Sequence, residues 1–320
     1  MRLDDIDWTS WVAHDVATLM FVIRGGQVLL IRKLRGLGAG KINAPGGRLE
    51  AGETLVAAAV RETQEEVGVT PLAPRLRGEL RFQFVAGYRL ECHVFSADGC
   101  DGSVRESDEA MPLWTPLGQI PYGEMWADDA LWLPLMLSGR TPFSGRFVFD
   151  GERMGDHVLT AHDPAEVVFR RLDELGIETV THAHVPVFTV EQAKAVRGAG
   201  EVGLHTKNLF VRDKSGRRMW LVTVPEDQPV DLAELGARLG AKLSFGSPER
   251  LRANLGVEPG SVTPLAVVND PGNVTLVLDR ALADADAVWC HPLTNDRSIR
   301  LSGPELVRFA ASTGHPPLIA

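Results

Sequence analysis

Three glutamates that share one face of a predicted helix constrain this chain more than any other feature. Residues 61–69 read Arg-Glu-Thr-Gln-Glu-Glu-Val-Gly-Val, so Glu62, Glu65 and Glu66 stand at helical positions i, i+3 and i+4. Like charges at this spacing repel one another. A hard divalent cation such as Mg²⁺ relieves the repulsion, because it binds carboxylate oxygens and bridges to substrate phosphates. The pattern therefore predicts a metal site on a helix that Gly68 can end in a left-handed cap.

A glycine pair precedes this helix and extends a pattern of fixed spacing. Gly46 and Gly47 allow the backbone to approach a diphosphate closely, and we count Gly46, through its backbone, among the predicted metal ligands. A solvated acidic face is the ordinary explanation of adjacent glutamates, but it does not require the surrounding residues to keep their spacing. The positions that keep it are Gly47, Glu53, Arg61, Glu62, Glu65, Glu66 and Gly68.

The composition excludes several classes of protein. The chain has 320 residues, enough for two domains, and no apolar run approaches the roughly 18 to 20 residues of a membrane span. The net charge of −9 argues against DNA binding and against any broad nucleic-acid surface, so an RNA contact would be local. We expect a cytoplasmic protein without a signal peptide, whose three scattered cysteines are free thiols. One basic cluster lies in the second half, at Lys207, Arg212, Lys214, Arg217 and Arg218.

The hydrophobic pattern divides the chain into two halves. Residues 15–32 alternate around a Gly-Gly turn and predict a β-hairpin, and a helix is expected at Leu131–Leu137. Polar, turn-rich residues follow from 150 to 164, so we place a domain boundary there and predict domains 1–162 and 163–320. In the second half we predict, among other elements, a strand at Leu265–Val268.

Residues 15–160 resemble the Nudix hydrolase family, and more narrowly its MutT-like branch that cleaves oxidised purine nucleoside triphosphates. Besides the glutamate pattern, the resemblance rests on residues 38–43 (Gly-Ala-Gly-Lys-Ile-Asn), 106–109 (Glu-Ser-Asp-Glu) and 119–129 (Gln-Ile-Pro-Tyr-Gly-Glu-Met-Trp-Ala-Asp-Asp). It implies an α/β/α sandwich. It also implies nucleoside triphosphates as substrates and Mg²⁺ as the cofactor, with Mn²⁺ as the alternative cation.

The same resemblance assigns base recognition to four residues. Asn43, Asp128 and Asp129 would hydrogen-bond the modified purine, and Trp126 would stack on it. Adjacent carboxylates do not easily ionise together, so one can donate a hydrogen bond while the other accepts. The alternative is that the two aspartates only cap the helix that follows.

Three further side chains have predicted roles in hydrolysis to a nucleoside monophosphate and pyrophosphate. Arg61 would orient one of the three glutamates of the helix, Glu109 would be an additional metal ligand or base, and Lys33 would contact phosphate. Two positions depart from the family pattern. Thr63 stands where an aliphatic residue is usual, and Leu37 stands where the branch has an aromatic residue.

Residues 165–320 resemble the YbaK/ProX family of aminoacyl-tRNA editing domains, most closely the subgroup that removes alanine from proline tRNA. The motifs that carry this resemblance include Pro186-Val-Phe188, His205-Thr-Lys207-Asn208, Gly260-Ser-Val-Thr-Pro264 and His291-Pro-Leu-Thr-Asn295-Asp. It implies a mixed-sheet α+β domain that needs no cofactor. It also implies as partner the acceptor end of a tRNA, expected to be proline tRNA, together with prolyl-tRNA synthetase or an elongation factor.

The second resemblance also assigns roles. Lys207 is essential in the family, His291 helps to place the substrate, and the aminoacyl pocket is lined by the loop that holds Gly260, Ser261 and Pro264. Hydrolysis of an activated ester needs an oriented water and a stabilised oxyanion, which Asn208 and the Gly260 and Ser261 amides can supply.

Histidines elsewhere in the second half do not predict a metal site. His182 and His184 share one face of a predicted strand, but the sequence shows no nearby cysteine or acidic partner.

Two alternatives from other functional classes remain open. The first half could act on ADP-ribose or serve as a nucleotide sensor, and the second could be a non-catalytic regulator that binds an amino acid or tRNA. The complete glutamate set and the presence of Lys207, Asn208 and His291 favour two hydrolases.

Overall fold

The structure is a computed structural model that describes residues 1–197 and 201–320. The chain divides into two compact units, Met1–His162 and Asp163–Ala320. Within the described residues, no helix has the length and apolar character needed to cross a membrane.

One large mixed sheet forms the centre of the first unit. Its order is β10-β9-β5-β6-β1-β2-β3, β8 pairs with β2, and β1/β6 and β5/β9 are parallel. A separate two-stranded sheet joins β4 and β7. The strands are β1 Asp15–Arg24, β2 Gln27–Lys33, β3 Ile42–Asn43, β4 Thr70–Pro71, β5 Arg75–Phe84, β6 Arg89–Ala97, β7 Cys100–Asp101, β8 Ala110–Pro116, β9 Phe143–Asp150 and β10 Arg153–Ala161. The helices are α1 Leu55–Val67 and α2 Asp129–Ser138.

Neighbouring residues of β1 show why this unit is a three-layer sandwich. Met20 packs in a core cluster with Ala59 of α1, whereas the next residue, Phe21, meets Trp132 of α2 with ring centroids 5.7 Å apart. Successive side chains of a strand point to opposite faces of the sheet, so α1 and α2 lie on opposite faces. The predicted α/β/α arrangement, the hairpin between β1 and β2 and the helix at Leu131–Leu137 are confirmed.

The prediction that residues 150–164 are mainly turn was wrong. Strand β10 occupies Arg153–Ala161 and pairs antiparallel with β9 at the edge of the sheet. Most of its residues are exposed, because an edge strand that is not covered by a helix needs no apolar face. Its polar composition therefore resembled that of a loop.

The second unit also contains one mixed sheet. Its order is β11-β17-β16-β12-β13-β15-β18, and β14 pairs with β12. The strands are β11 Val180–Ala183, β12 Leu204–Asp213, β13 Met219–Pro225, β14 Leu243–Phe245, β15 Val274–Leu278, β16 Val288–Cys290, β17 Arg297–Leu301 and β18 Leu318–Ile319. The helices are α3 Glu166–Glu174, α4 Val190–Val196, α5 Leu232–Leu239, α6 Pro248–Leu255, α7 Arg280–Ala283 and α8 Gly303–Ser312.

Strand β12 separates two cores in this unit. Phe210 packs with residues of α3, α6 and α8, and its neighbour Val211 packs with residues of α5. The strand predicted at Leu265–Val268 is instead a 3₁₀ helix, Pro264–Asn269, which begins where Thr263 Oγ1 accepts a hydrogen bond from Leu265 N. A short buried apolar run suits either a strand or a helix, so its periodicity could not decide between them.

Candidate active sites

Helix α1 is fixed at both ends and so holds its glutamates in place. Thr54 caps the N-terminus by accepting a hydrogen bond from Ala57 N at 3.3 Å, and Gly68 ends the helix with φ of 76°. Thr63, the departure from the family pattern, is fully buried, and its hydroxyl donates to Ala59 O at 2.7 Å. The helix therefore accommodates this polar residue without leaving its hydroxyl unsatisfied.

Glu66 is the most buried of the three glutamates. Its residue is 2% exposed, one carboxylate oxygen accepts from Gly46 N at 2.9 Å, and the other lies 3.6 Å from Lys33 Nζ. Burial raises the pKa of Glu66 to about 7, and the charge of Lys33 opposes that rise. A cation bound here would stabilise the charged carboxylate that burial disfavours.

Arg61 links the other glutamates of the pattern. Its guanidinium donates to Glu53 at 2.9 Å, to Glu62 at 2.9 Å and to Glu65 at 3.0 Å, and also to the carbonyl of Arg48. The Glu65 side chain is 60% exposed, whereas that of Glu62 is 15% exposed. Arg61 thus contacts carboxylates rather than the cavity.

Both glycines stand where a side chain would not fit. A Cβ on Gly46 would lie 2.0 Å from Thr18 O, and one on Gly47 would lie 2.4 Å from the Glu62 carboxylate. The glycines therefore bring the backbone against two glutamate side chains, Glu62 and Glu66. The carboxylate oxygens of Glu62 and Glu66, held against the backbone at Gly46 and Gly47, are hard ligands that fit a divalent cation.

A cavity of about 510 Å³ brings most of the predicted residues of the first unit together. Those that line it are Lys33, Asn43, Gly46, Glu62, Glu66, Glu109, Trp126, Asp128 and Asp129. Glu65 and Arg61 are absent from its lining. Glu109 forms an ion pair with Arg35 at the cavity wall.

Asp128 and Asp129 are buried acids that line this cavity. Asp128 accepts from Trp132 Nε1 at 2.9 Å and makes no side-chain capping bond to α2. Asp129 accepts from Trp126 N at 3.0 Å, outside the helix. Burial raises the pKa of Asp128 to about 6, and burial together with the charge of Asp128 raises the pKa of Asp129 well above its usual range. Helix capping therefore does not account for these side chains, and a shared proton does fit them.

Trp126 is held from several sides. Lys41 Nζ lies 5.1 Å from its ring centroid, and the Phe149 ring meets it edge-on at 5.6 Å. A Cβ on Gly38 would lie 2.8 Å from its Nε1, so only glycine fits there without a shift. Sequence reasoning missed Lys41, although it lies inside the motif of residues 38–43.

Aromatic residues that the sequence reading did not single out complete the cavity wall. Phe82, Phe84, Tyr88 and Phe149 all line it, and Leu37, where the branch has an aromatic residue, lies at its edge with 48% exposure. Alternation along β5 places Phe82 and Phe84 on one face, which is a signal the sequence contains.

A second group of possible metal ligands lies elsewhere in this unit. Ligand atoms of Glu79, Glu91 and His93 lie within 4.8 Å of one another on β5 and β6. Arg81 Nε already lies 2.8 Å from Glu79 and 3.4 Å from Glu91. A guanidinium thus supplies the positive charge here, and we assign no metal to this group.

In the second unit, strand β12 positions Lys207 and Asn208. The Asn208 amide donates to Val262 O at 2.9 Å, and its oxygen accepts from Thr223 Oγ1 at 2.9 Å. Lys207 Nζ donates to the carbonyl of Gln228. Asn208 is therefore a rigid group, whereas Lys207 is anchored by a single bond to a backbone oxygen.

Only part of the Gly260–Pro264 loop reaches the cavity of this unit. Gly260 lines the cavity with φ of 93°, and a Cβ there would lie 3.3 Å from Phe188 Cδ1. Ser261 is buried, and its N–H already donates to Glu258 O at 2.9 Å. Pro264 is buried at the start of the 3₁₀ helix. The structure therefore brings Gly260, but not Ser261 or Pro264, to the cavity surface.

His291 stands in a cavity of about 260 Å³ beside Lys207, Asn208 and Gly260. Its Nδ1 lies 2.9 Å from Arg297 O, and because a carbonyl only accepts, Nδ1 carries the proton. Burial lowers the pKa of His291, so the imidazole is neutral at pH 7 and its Nε2 is an acceptor.

Further residues of this wall were not predicted. His205 stacks on Trp289 at 6.0 Å, and His184 meets the ring of His291 at 6.0 Å. The prediction that His182 lacks an acidic partner was wrong, because its Nδ1 lies 3.0 Å from Glu201 across a sequence separation that no local pattern reveals. Over residues 163–197 and 201–320, no converging group of metal-binding side chains occurs.

Helix α4 forms one side of the cavity. Its residues Val190, Ala193 and Val196 line the space, and two ion pairs join this segment to the loop after β13. Lys194 Nζ lies 2.5 Å from Asp227, and Arg197 forks onto Glu226. Apolar side chains of α4 therefore form one side of a cavity of about 260 Å³.

Two models of known protein families match the parts of the chain that contain these sites. The NUDIX domain model matches residues 13–136, and the aminoacyl-tRNA editing domain model matches residues 184–309.

Three known proteins illustrate these similarities. The oxidized purine nucleoside triphosphate hydrolase of Danio rerio is 45% identical over 47% of this chain and 94% of its own length. Prolyl-tRNA synthetase associated domain-containing protein 1 of Mus musculus is 36% identical over 47% of this chain and 91% of its own length. The prolyl-tRNA editing protein ProX of Acetoanaerobium sticklandii is 36% identical over 48% of this chain and 94% of its own length.

Proposed function

Because the chain belongs to the NUDIX family and to the aminoacyl-tRNA editing family, we propose that it is a bifunctional hydrolase with one activity in each unit. The first unit would be a Mg²⁺-dependent diphosphatase for purine nucleoside triphosphates with a preference for oxidised bases. The second would hydrolyse mischarged tRNA, with alanyl-tRNA(Pro) as the expected substrate.

The observation that carries the first activity is that two adjacent buried aspartates with raised pKa values line the same cavity as Glu62 and Glu66. Oxidation of a purine changes which edge atoms carry hydrogen. One protonated and one ionised carboxyl offer a donor and an acceptor to that edge. Asn43 adds an amide, since its Oδ1 already accepts from Ala44 N at 2.8 Å and its NH₂ remains to donate.

The remaining residues of the cavity would act on the triphosphate. Glu62 and Glu66 would hold Mg²⁺, which when bound supplies neutralising charge and polarises phosphoryl oxygens. Arg61 keeps Glu62 in position, and Lys33 can exchange its contact with Glu66 for a phosphate oxygen. Water attacks a phosphorus atom, the bond to the leaving phosphate oxygen breaks, and the products are the nucleoside monophosphate and pyrophosphate.

Release of pyrophosphate from a panel of normal and oxidised triphosphates tests this activity. We expect a faster reaction with the oxidised bases and no reaction in EDTA. Glu66→Gln should lower kcat by orders of magnitude while the fold survives, because it removes a charged ligand but keeps an acceptor for Gly46 N. Equal rates on normal and oxidised bases would refute the specificity, and cleavage of ADP-ribose alone would favour the alternative substrate.

The observation that carries the second activity is that Lys207, Asn208, Gly260 and His291 converge on one small cavity. Lys207 can hold a phosphate or the ester carbonyl as a point charge. Nε2 of neutral His291 can accept a proton from an attacking water, which then adds to the ester carbonyl. The bond from carbonyl carbon to ribose oxygen breaks, and the ribose hydroxyl recovers a proton.

Deacylation assays test this activity directly. We expect release of alanine from alanyl-tRNA(Pro) in the presence of EDTA, and loss of that release in Lys207→Ala. Binding of the charged tRNA without hydrolysis would instead indicate a regulator. If EDTA stops deacylation as well as nucleotide hydrolysis, the second unit requires a metal and this mechanism is wrong.

A further inference from the structure

One end of the second unit is strongly basic although the whole chain carries a net charge of −9. The end is formed by the turn between β12 and β13, the C-terminal end of α5 and the start of α6. These segments carry seven positive side chains against the two carboxylates of Asp213 and Glu249. The positive residues, which we call the basic end, are Arg212, Lys214, Arg217, Arg218, Arg238, Lys242 and Arg250.

Hydrogen bonds to backbone carbonyls of the β12–β13 turn and of the C-terminal end of α5 position three of these guanidiniums. Arg250 donates to Gly216 O at 3.0 Å, Arg212 donates to Asp213 O at 3.0 Å, and Arg218 donates to Leu239 O at 3.0 Å. Each of these acceptors is a backbone carbonyl.

A neutral carbonyl positions an arginine without cancelling its charge. In the described part of the chain, no ion pair with a carboxylate occurs at Arg212, Arg218 or Arg250. A guanidinium has five N–H donors, so each arginine keeps donors for another group. Nor do the exposed side chains of Lys214, Arg217 and Lys242 form hydrogen bonds within the described residues.

The basic end is connected to the cavity through β12. Arg212 follows the cavity residue Lys207 by five positions, which corresponds to about 17 Å along a strand. Phe245, which is 60% exposed and pairs with Val211, adds an aromatic surface next to the cations.

We propose that the basic end binds the phosphate backbone of the tRNA whose aminoacylated 3′ end enters the cavity. This inference rests on the proposed deacylase function. An acidic protein of net charge −9 repels tRNA overall, so a held tRNA requires a local cluster of uncompensated cations. Arginine and lysine donors in fixed positions suit phosphate oxygens.

Two triple variants of the full chain provide a matched test. Lys214→Gln/Arg217→Gln/Lys242→Gln removes three charges from the basic end, and none of these side chains has a bond to lose within the structure described. Arg170→Gln/Arg280→Gln/Arg308→Gln removes three exposed charges elsewhere on the unit. Both variants change the net charge equally, so a difference between them reports position.

The first measurement is the affinity for uncharged proline tRNA across a series of salt concentrations. For the basic-end variant we expect at least about a tenfold rise in Kd at low salt, and a salt dependence shallower by about 2 to 3 in slope. The control variant should match the unmodified chain. Because uncharged tRNA is used, this result does not depend on deacylation.

The second measurement separates tRNA binding from chemistry. In the basic-end variant, KM for alanyl-tRNA should rise and kcat should not change, and hydrolysis of alanyl-adenosine should match the unmodified chain. Equal affinities of the two variants for tRNA would overturn the proposal and leave an acidic protein as the partner that fits this surface. Absence of deacylation by the unmodified chain would refute the proposed function but leave the affinity comparison valid.

Discussion

The indole N–H of Trp132 donates to Asp128 Oδ2 over 2.9 Å, one helical turn from the residue that accepts it. The bond holds the Asp128 carboxylate among the side chains that line the cavity of the first unit. Asp129, the next residue, is buried beside it and bonded to Trp126 N. The two carboxyls therefore both line the cavity, although the sequence alone allowed them to be helix caps.

Replacing Asp128 should change which bases the enzyme prefers. In Asp128→Ala we expect a smaller ratio of kcat/KM between oxidised and normal purine triphosphates. The loss of discrimination should correspond to about 1–3 kcal/mol, because one charged hydrogen bond is lost. Asp101→Asn, which removes an exposed acid of the same unit, is the control and should keep the ratio. An unchanged ratio in Asp128→Ala would show that the base is read elsewhere.

The raised pKa of Asp128 predicts a pH dependence of stability. Burial raises this pKa from 3.8 to about 6, so between these values the folded state binds more protons than the unfolded state. The free energy of unfolding should therefore fall as pH rises through this window, by an amount on the order of 3 kcal/mol from this carboxyl.

Asp128→Asn should remove the part of the pH dependence that Asp128 contributes, since the amide cannot ionise but can still accept from Trp132. The raised pKa values of Asp129 and Glu66 should leave the variant with a weaker dependence of the same sign. Thermal unfolding of both proteins at pH 4 to 8 measures the effect. We expect the variant to be the more stable protein above pH 6. Parallel curves for the two proteins would contradict the assigned pKa.

Features of this protein that depend on local interactions follow from its sequence, whereas contacts between distant segments do not. The spacing of Glu62, Glu65 and Glu66 and the left-handed cap at Gly68 are local features, so the helix and its C-terminal end could be predicted from the sequence. The partner of His182 is Glu201, and Asn208 bonds to Val262 O. These contacts depend on how distant strands pair, and no pattern within one segment specifies them.

Two errors have similar physical origins. Strand β10 is polar because it lies at an uncovered edge, and the 3₁₀ helix at Pro264–Asn269 is mainly apolar because its first four residues are buried. In both segments the amino-acid composition matches the exposure of the segment in the folded protein and not its secondary structure. A prediction based on composition was therefore wrong in both. Burial also explains why Ser261 and Pro264, predicted to line the pocket, do not reach its surface.

His291 predicts a pH profile for deacylation. Burial lowers its pKa below the ordinary 6.5, so Nε2 stays unprotonated as pH falls through that value. The rate should therefore be level from pH 8 to below pH 6.5 and should decline only in more acidic solution. The neighbouring His205 also has a pKa lowered by burial, so it does not introduce a decline above that range.

Two histidine variants test whether protonation of His291 causes the decline of the deacylation rate in acidic solution. His291→Gln should lower kcat by at least about tenfold, because a general base is lost, and its residual rate should no longer share the acidic decline. His162→Gln replaces an exposed histidine outside the cavity and should behave as the unmodified chain. A decline centred at or above pH 6.5 in the unmodified chain would exclude neutral His291 as the base.

The last prediction concerns separation of the two units, which should each fold and act alone when the chain is divided between His162 and Asp163. His162 N bonds to Pro142 O within the first unit, and Asp163 bonds to Ala165 N and Arg297 within the second. A cut between them breaks none of these contacts, and each piece exceeds the roughly 100 residues of an independent core.

The activities of the two pieces measure their independence. Each piece, residues 1–162 or residues 163–320, should retain kcat/KM within about threefold of the full chain, a difference under ~1 kcal/mol. A first piece that ends at residue 155 removes most of β10 and should unfold at a lower temperature than residues 1–162. An insoluble piece from the 162/163 cut, or a loss beyond about tenfold in either reaction, would show that each activity requires the other unit.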